Sequence, residues 1–474
     1  MTKVKLKDLV HSPITGEWGL EDENNDGVFV IRTTNFTKTG KIDFTNLAKR
    51  SIDKSKIDIK KLRAGDIIIE KSGGGPNSPV GRVVQFQPPD KSTYLCNNFT
   101  VALRPKKDVI LPEYLFYQFS YLYQTGVVRK YQNQTIGLYN LKLERYLNVE
   151  VMVPSMAFQL KTIAQLNRIQ ILISKRKNNL DNIDKYLRAK FFELFGDPVL
   201  DTKDFGKKTL EYFGRWQTGG TPSRENDSFF DGNIPWYTSG ELNQILAEQS
   251  NEFINAQAIE STGAKLIDAG SLLVGMYDTA ALKSSITQFQ SSCNQAIAFS
   301  KLNKERCDPI FLYYNIQYAR EYLLNKRKGA RQKNFNLTGI KNIQVIAPPV
   351  NLQKLFVNSF KICWSEKSKM KDSLEQFEIV FQLFLHNAFN NQIDEPDENE
   401  ERFFDDILEG LTYDELLSKE RLKHLVTWYD KANQKFKDFK KYDKGFRKKL
   451  LMVLENGEIE QVVSNGVIKL QLKS

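Results

Sequence analysis

Apolar residues fall along this chain in two regimes: strand-length runs bounded by Gly, Asn, Asp or Pro, and long stretches at heptad spacing. Ala64-Gly65-Asp66 leads into Ile67-Ile68-Ile69, and Ala269-Gly270-Ser271 into Leu272-Leu273-Val274; each reads as a turn feeding a buried strand. Cys96-Asn97 precedes Phe99-Thr100-Val101-Ala102-Leu103, and Cys293-Asn294 precedes Ala296-Ile297-Ala298-Phe299, again strands with polar residues at their start. Between these regions Leu166, Ile173, Leu180, Leu187 and Leu194 recur every seven residues, with Ile169 and Ile183 three positions after members of the series. That spacing predicts a heptad seam on a long helix. A second seam carries Phe360, Leu374, Phe381 and Ala388, interleaved with Cys363, Met370, Phe377 and Phe384, and is broken once by Lys367.

These features repeat in tandem. Val4–Leu9 and Lys208–Phe213 open the two copies, and Tyr139-Asn140-Leu141 matches Phe335-Asn336-Leu337. Val149, Val151, Pro154 and Gln159 fall on Ile343, Val345, Pro348 and Gln353 at one constant shift. Each copy predicts a mixed α/β globule followed by a long helix that starts after a proline. The expected organisation is a globule over 1–155, a long helix over 156–200, a globule over 201–348, a long helix over 349–392 and an extension over 393–474. The seams can each pack on their own globule, but pairing of the two helices as an antiparallel coiled coil accounts for both together and implies a pseudo-two-fold relation. Leu166 to Leu194 would span about 42 Å at 1.5 Å per residue, more than one turn of B-DNA, about 34 to 36 Å.

Composition narrows the function. The 474 residues exceed one typical domain, and 41% hydrophobic and 12% aromatic residues suit buried cores. Lys plus Arg number 68 against 57 Asp plus Glu, a net charge of +11, which favours an anionic partner such as nucleic acid. No stretch reaches the roughly 18 apolar residues of a membrane span, so no membrane role is expected and the expected location is cytoplasmic. Cys96, Cys293, Cys307 and Cys363 are too scattered for a zinc site or disulfide framework and read as buried thiols. Phosphate loops and dinucleotide fingerprints are absent, as is an Asn-Pro-Pro-aromatic loop for an extruded base. His11, His386 and His424 are dispersed. Asp197 with Asp201-Thr202-Lys203 could be imagined as a metal-assisted nuclease site, but these residues read better as a polar linker past a helix end. No catalytic residue and no metal ligand is assigned.

Thr218-Gly219-Gly220-Thr221-Pro222-Ser223, followed by Asp231-Gly232-Asn233-Ile234-Pro235-Trp236-Tyr237-Thr238-Ser239-Gly240-Glu241-Leu242, resembles the opening of a target recognition domain in type I restriction-modification specificity subunits. The Gly-Asp turn before a buried strand, the Asn-Leu element, the Pro near each long helix and Phe195-Gly196-Asp197 fit the same family. The resemblance covers roughly residues 4–392, although the first globule lacks the Gly-Gly-Thr-Pro and Ile-Pro-Trp segments and has Ile31-Arg32-Thr33-Thr34-Asn35-Phe36 where the second has Trp236–Leu242. It implies an α/β (α+β) fold: two tandem mixed target recognition domains separated by two long antiparallel coiled-coil helices. It also implies a non-catalytic subunit that binds double-stranded DNA at a bipartite site, one half per domain. Two methyltransferase subunits and the restriction and motor subunits are the implied partners. S-adenosylmethionine, ATP and Mg²⁺ would belong to them. A fused restriction and methylation enzyme with an unrecognised catalytic part is the alternative, and a coiled-coil adaptor without DNA affinity a third reading.

For DNA contact, basic side chains near loops suit phosphates, while Asn, Gln, Arg and Ser suit base edges. In the second globule the candidates are Thr218, Gly219, Gly220, Thr221, Ser223, Arg224, Tyr237, Thr238, Ser239, Glu241, Tyr277, Lys283, Arg331, Gln332, Lys333 and Asn334. Gly219-Gly220 reads equally as a tight turn, Trp236 as core and Tyr237 as the exposed contact. In the first globule the loop Lys71-Ser72-Gly73-Gly74-Gly75-Pro76-Asn77-Ser78 with Arg82 is the main candidate, followed by Arg32, Asn35, Gln132, Asn133, Gln134 and Tyr139. The extension begins with the acidic run Asp394–Glu401. Beyond it come a helical pattern with lysines from Lys431 to Lys449, then a hairpin turn at Ser464-Asn465-Gly466. A docking module, a basic DNA-facing helix and an inert appendage are the readings open for it.

Overall fold

The structure, a computed structural model, describes residues 2–390 apart from Lys38, Pro76, Asn77, Ile136, Gly137, Glu248, Gln249 and 327–333, together with the strands Ile459–Ser464 and Val467–Leu472. Two compact units form: Met1–Arg176 with the segment from Ser373, and Lys177–Asp372. Each long helix, Met156–Phe195 and Val350–Phe389, is therefore divided between the units rather than forming a module of its own.

In the first unit the central sheet runs in the order Ile14–Thr15, Thr100–Leu103, Ile67–Glu70, Val83–Gln85, all antiparallel. A second sheet orders Leu20–Glu21, Ala48–Ser51, Val28–Ile31, Tyr94–Cys96, the last pair parallel. The uninterrupted apolar run at Ile67–Ile69 is explained by burial on both faces. Ile67 and Ile69 enter the core shared with the helix Pro112–Gln124 and the long helices, while Ile68 enters a separate core with Ile31, Phe86 and Tyr94.

The second unit repeats this plan. Its central sheet orders Gly214–Thr218, Ile297–Leu302, Leu272–Gly275, Ser284–Thr287, Leu246–Ala247. Leu272 and Val274 face the core shared with the helix Pro309–Asn325 and the long helices, and Leu273 faces the other side. A three-stranded sheet orders Glu252–Ile254, Ile234–Tyr237, Ser292–Cys293, the last pair parallel as in the first unit.

The long helices pair antiparallel within each unit. In the first, Leu166, Ile169 and Ile173 share a core with Phe381, Phe384, Leu385 and Phe389, with Leu374 and Phe377 packed against it, and Arg176 Nε donates to Ser373 Oγ at 3.2 Å. In the second, Leu187, Phe191 and Phe195 share a core with Phe356 and Phe360, with Ile183 and Leu194 alongside. Lys367, the polar break in the heptads, reaches Asp184 Oδ1 at 2.5 Å. Leu180 is half-buried. The seams are thus covered by globule and partner helix together, and not by the partner alone.

One buried glutamine per unit fixes the globule to its long helix. Gln159 Oε1 accepts the Leu111 N–H at 2.8 Å at the start of Pro112–Gln124, and Nε2 donates to the Pro154 carbonyl at 3.0 Å. Gln353 does the same in the second unit: Oε1 accepts the Asp308 N–H at 2.9 Å, and Nε2 donates to the Pro348 carbonyl at 2.9 Å and the Arg306 carbonyl at 3.2 Å. Both side chains are 0% exposed, so the constant-shift match of Gln159 with Gln353 records a shared packing constraint. Replacing either by Leu strands buried backbone donors and acceptors and should cost about 1–3 kcal/mol. Calorimetric melting should show a clear fall in Tm for each; a variant melting with the wild type would remove the clamp from this account.

Candidate nucleic-acid interface

In the first unit the glycine-rich loop is not free-standing. Ser72–Gly74 pairs with Leu138–Leu141, which pairs with Gln132–Thr135 in a three-stranded sheet. Lys71, Ser72, Gly73, Gly74, Ser78, Asn133, Gln134 and Tyr139 are thereby brought together. Ser72 Oγ donates to Asn140 Oδ1 at 2.5 Å, and Gln132 Nε2 to the Val80 carbonyl at 2.9 Å. Gly73 has a φ of +108° with open space where a side chain would stand, whereas a Cβ on Gly74 would meet the Ser78 carbonyl at 2.5 Å. Gly73, Ser78 and Gln134 are exposed; Lys71, Ser72, Asn133 and Tyr139 are half-buried. Gly74 is buried and serves the turn, a correction to its reading as a contact. Asn77 lies outside the described residues.

Arg32 and Asn35 flank a short 3₁₀ turn, Thr33–Asn35. Asn35 is buried; its Oδ1 accepts the Arg32 N–H at 2.9 Å and its Nδ2 donates to the Asn46 carbonyl at 3.0 Å. That capping role corrects its reading as a base contact. Arg32 Nη2 also donates to the Asn46 carbonyl, at 2.8 Å.

In the second unit Thr218-Gly219-Gly220 runs off an edge strand against the Cys293-Asn294 backbone. The Gly219 N–H donates to the Ile297 carbonyl at 3.2 Å and the Gly220 N–H to the Cys293 carbonyl at 2.9 Å. A Cβ on Gly219 would stand 2.1 Å from the Cys293 carbonyl oxygen, and one on Gly220 2.1 Å from that of Gly263. The two glycines are therefore required by close backbone approach within the protein. Thr221 bonds Gln295 through its hydroxyl, and Thr221 and Ser223 are exposed. Arg224 grips Glu252 with two bonds at 2.5 and 2.7 Å and lies over the Phe230 and Trp236 rings at 4.3 and 5.2 Å. This ion pair holds the Glu252 carboxyl below its ordinary range.

Trp236 is core, as expected, its Nε1 donating to the Gly220 carbonyl at 3.0 Å. Tyr237 is core too, against expectation: it is 2% exposed, its hydroxyl donates to the Ala247 carbonyl at 3.2 Å, and burial pushes its pKa up. Glu241 is likewise corrected to a cap: its carboxylate accepts the Thr238 N–H and hydroxyl, both at 2.7 Å, and the Asn251 N–H at 2.8 Å. Ser239 is half-buried, Tyr277 and Asn334 are exposed, and Lys283 Nζ donates to Asn243 Oδ1 at 3.1 Å. Arg331, Gln332 and Lys333 lie outside the described residues.

Equivalent hydrogen bonds align the units. Asn97 donates to the Ile31 carbonyl as Asn294 does to that of Tyr237, each at 2.9 Å. The Leu141 N–H meets the Lys71 carbonyl as the Phe335 N–H meets that of Met276, each at 2.8 Å. The strand end thus equates Leu141-Lys142-Leu143 with Phe335-Asn336-Leu337, two residues on from the match drawn through Tyr139-Asn140-Leu141. Thr15-Gly16, which the sequence did not single out, takes the place of Thr218-Gly219: a Cβ on Gly16 would stand 1.8 Å from the Asn97 carbonyl oxygen. A Thr-Gly dipeptide is too short to be noticed without the strand that places it.

The nuclease reading dissolves. Asp197 Oδ1 accepts the Val199 and Leu200 N–H groups at 2.7 and 3.0 Å, and the Asp201 carboxylate those of Phe205 and Gly206 at 3.1 and 2.9 Å. Both carboxylates are turn caps, and no metal-binding cluster of His, Cys, Asp or Glu occurs among the described residues. Burial pushes the Cys96 and Cys293 thiols up to about 11 and about 12, so both are protonated and inert at neutral pH. Among the described residues no helix is long and apolar enough to cross a membrane.

The chain is thus two tandem α/β units, each built on the paired long helices. The type I restriction modification DNA specificity domain family matches residues 1–182 and 202–376, and the chain belongs to that family. It is 22% identical over 368 residues, 75% of this chain and 85% of the relative, to a Methanocaldococcus jannaschii protein described as the specificity subunit of type I restriction enzyme MjaX. The EcoR124I/EcoR124II specificity subunit of Escherichia coli is 29% identical over 124 residues, 25% of this chain and 29% of the relative. The fold is similar to the type I S subunit from M. genitalium, at TM-score 0.51 and 14% identity over 83% of this chain and 96% of the other. It is also similar, at TM-score 0.52 and 14% identity over 83% and 98% of the chains, to a structure described for complex assembly and conformational transition of the type I R-M system. As a member of a family of specificity subunits, the chain is non-catalytic.

Gly219→Val forces the Cys293-Asn294 turn aside, an overpacking that should cost about 1–3 kcal/mol. Gly240→Ala meets open space and should not. Thermal melts followed by tryptophan fluorescence should separate the two; equal Tm values would show that the glycines do not serve close packing.

Proposed function

We propose that this chain is the sequence-reading subunit of a type I restriction-modification complex, each unit reading one half of a bipartite site in double-stranded DNA. The observation carrying the reading is the duplication: both units present a loop off the central strand, Lys71–Ser78 and the segment after Gly275, beside a basic residue, Arg82 or Lys283, at equivalent backbone positions. The net charge of +11 supplies sequence-independent attraction to phosphate. Two methyltransferase subunits dock on the chain, and motor-nuclease subunits join for restriction in the cytoplasm. S-adenosylmethionine, ATP and Mg²⁺ are held by those partners. Lys71, Ser72, Gly73, Ser78, Asn133, Gln134 and Tyr139 in one unit, with Thr221, Ser223, Tyr277, Lys283 and Asn334 in the other, form the contact surfaces. Arg331, Gln332 and Lys333, outside the described residues, are further contacts proposed from the sequence alone.

Binding of the full-length protein to duplex DNA should weaken steeply with salt. Lys71→Ala and Lys283→Ala should each lower affinity on every sequence alike and flatten the log–log salt slope by about 0.9 for each phosphate left without its cation. Unchanged slopes in both variants would contradict phosphate binding by these loops.

A further inference from the structure

The strand Ile67–Glu70 ends on a carboxylate that neither the sheet nor the repeat requires. Glu70 is 5% exposed, and both of its oxygens accept from Arg82: Nε on Oε2 at 2.8 Å and Nη2 on Oε1 at 3.0 Å. The residues face one another because their backbones pair, the Glu70 N–H donating to the Arg82 carbonyl at 2.9 Å. A carboxylate out of water is costly unless paired, so Glu70 fixes the guanidinium in one orientation.

The clamp is side-on. Nη2 also reaches the Thr33 carbonyl at 3.4 Å, a long bond, and Nη1 donates no hydrogen bond among the described residues. The guanidinium lies over the Phe36 ring at 5.8 Å, and the Arg82 side chain remains 41% exposed. The end of the guanidinium that Glu70 leaves open therefore carries Nη1 and the outer Nη2 hydrogen, the latter engaged only by the long Thr33 bond, on a planar cation held in one orientation.

In the second unit the equivalent positions are Gly275 and Lys283, joined by the same backbone bond at 2.8 Å. Glycine brings no carboxylate, and Lys283 rests on the neutral amide of Asn243. A lysine ammonium is a mobile point charge suited to phosphate. A fixed guanidinium edge matches two acceptors at once, the pattern guanine presents with O6 and N7 in the major groove.

Resting on the DNA-reading function above, we infer that Arg82 discriminates a guanine in the half-site read by the first unit, held for that purpose by Glu70 as a positioning residue. Lys283, its counterpart, contributes charge without base discrimination.

The test offers a randomised duplex library to the full-length protein and sequences the bound fraction for wild type, Arg82→Lys, Glu70→Gln and Lys283→Ala. Wild type should enrich a two-part motif. Arg82→Lys keeps the charge and the pairing with Glu70, and should make one G·C position degenerate, with discrimination there falling about tenfold or more. Glu70→Gln should degrade that same position and leave its neighbours, a pattern general misfolding of the unit would not give. Lys283→Ala should weaken binding with the motif intact. A fully intact motif with Arg82→Lys, or loss of the whole first half-site with Glu70→Gln, would overturn the inference while leaving DNA reading in place. No enriched motif with wild type would overturn the DNA reading itself.

Discussion

The structure depends on where the apolar stripes of the two long helices are buried. Each stripe is covered by the partner helix on one side and by a globule on the other, so Leu166 and Phe381 belong to the same core as the strand residues Ile67 and Ile69. Leu187 and Phe360 likewise share a core with Leu272 and Val274. A heptad seam in isolation would bury only its own knobs. Continuous with a sheet and clamped by a buried glutamine, it makes the orientation of each reading surface a property of the helix that carries it.

That arrangement decides which candidates can reach a ligand. The strands Val28–Ile31 and Ile234–Tyr237 lie in small sheets with both faces covered, and the turns that follow them are held by Asn35 and Glu241. Asn35, Trp236, Tyr237 and Glu241 are consumed by the protein. Candidates left at the surface stand on the loops that leave the central strand after Glu70 and Gly275, on the strand ends that close over them, and, as Thr221 and Ser223, on the segment past the edge strand Gly214–Thr218. The halves differ most in the charge placed there: a clamped arginine in one, a lysine on an amide in the other.

Much of the fold was legible because its constraints are local and repeated. Apolar triplets after Gly65 and Gly270, Cys-Asn turns, and prolines before the long helices each mark a position with one structural solution. The candidate site was less legible, for physical reasons. Trp236 was read as a core residue anchoring a loop and Tyr237 as the contact, yet both are buried. Here Trp236 packs with Ile254 and Ala258 on one side and Tyr237 with Leu242 and Leu273 on the other. The equivalence of Thr15-Gly16 with Thr218-Gly219 rests on close carbonyl approaches that leave no pattern in the chain. Glu70, at the end of an isoleucine run, gains meaning only from Arg82, twelve residues on, across a strand pair.

The central claim is that this chain supplies sequence specificity and no chemistry. Methylome sequencing of cells with and without the gene tests it most directly. Loss of adenine methylation at one bipartite motif, with all other modified sites retained, is the predicted result. An unchanged methylome, together with DNA modification or cleavage by the purified chain alone, would contradict it.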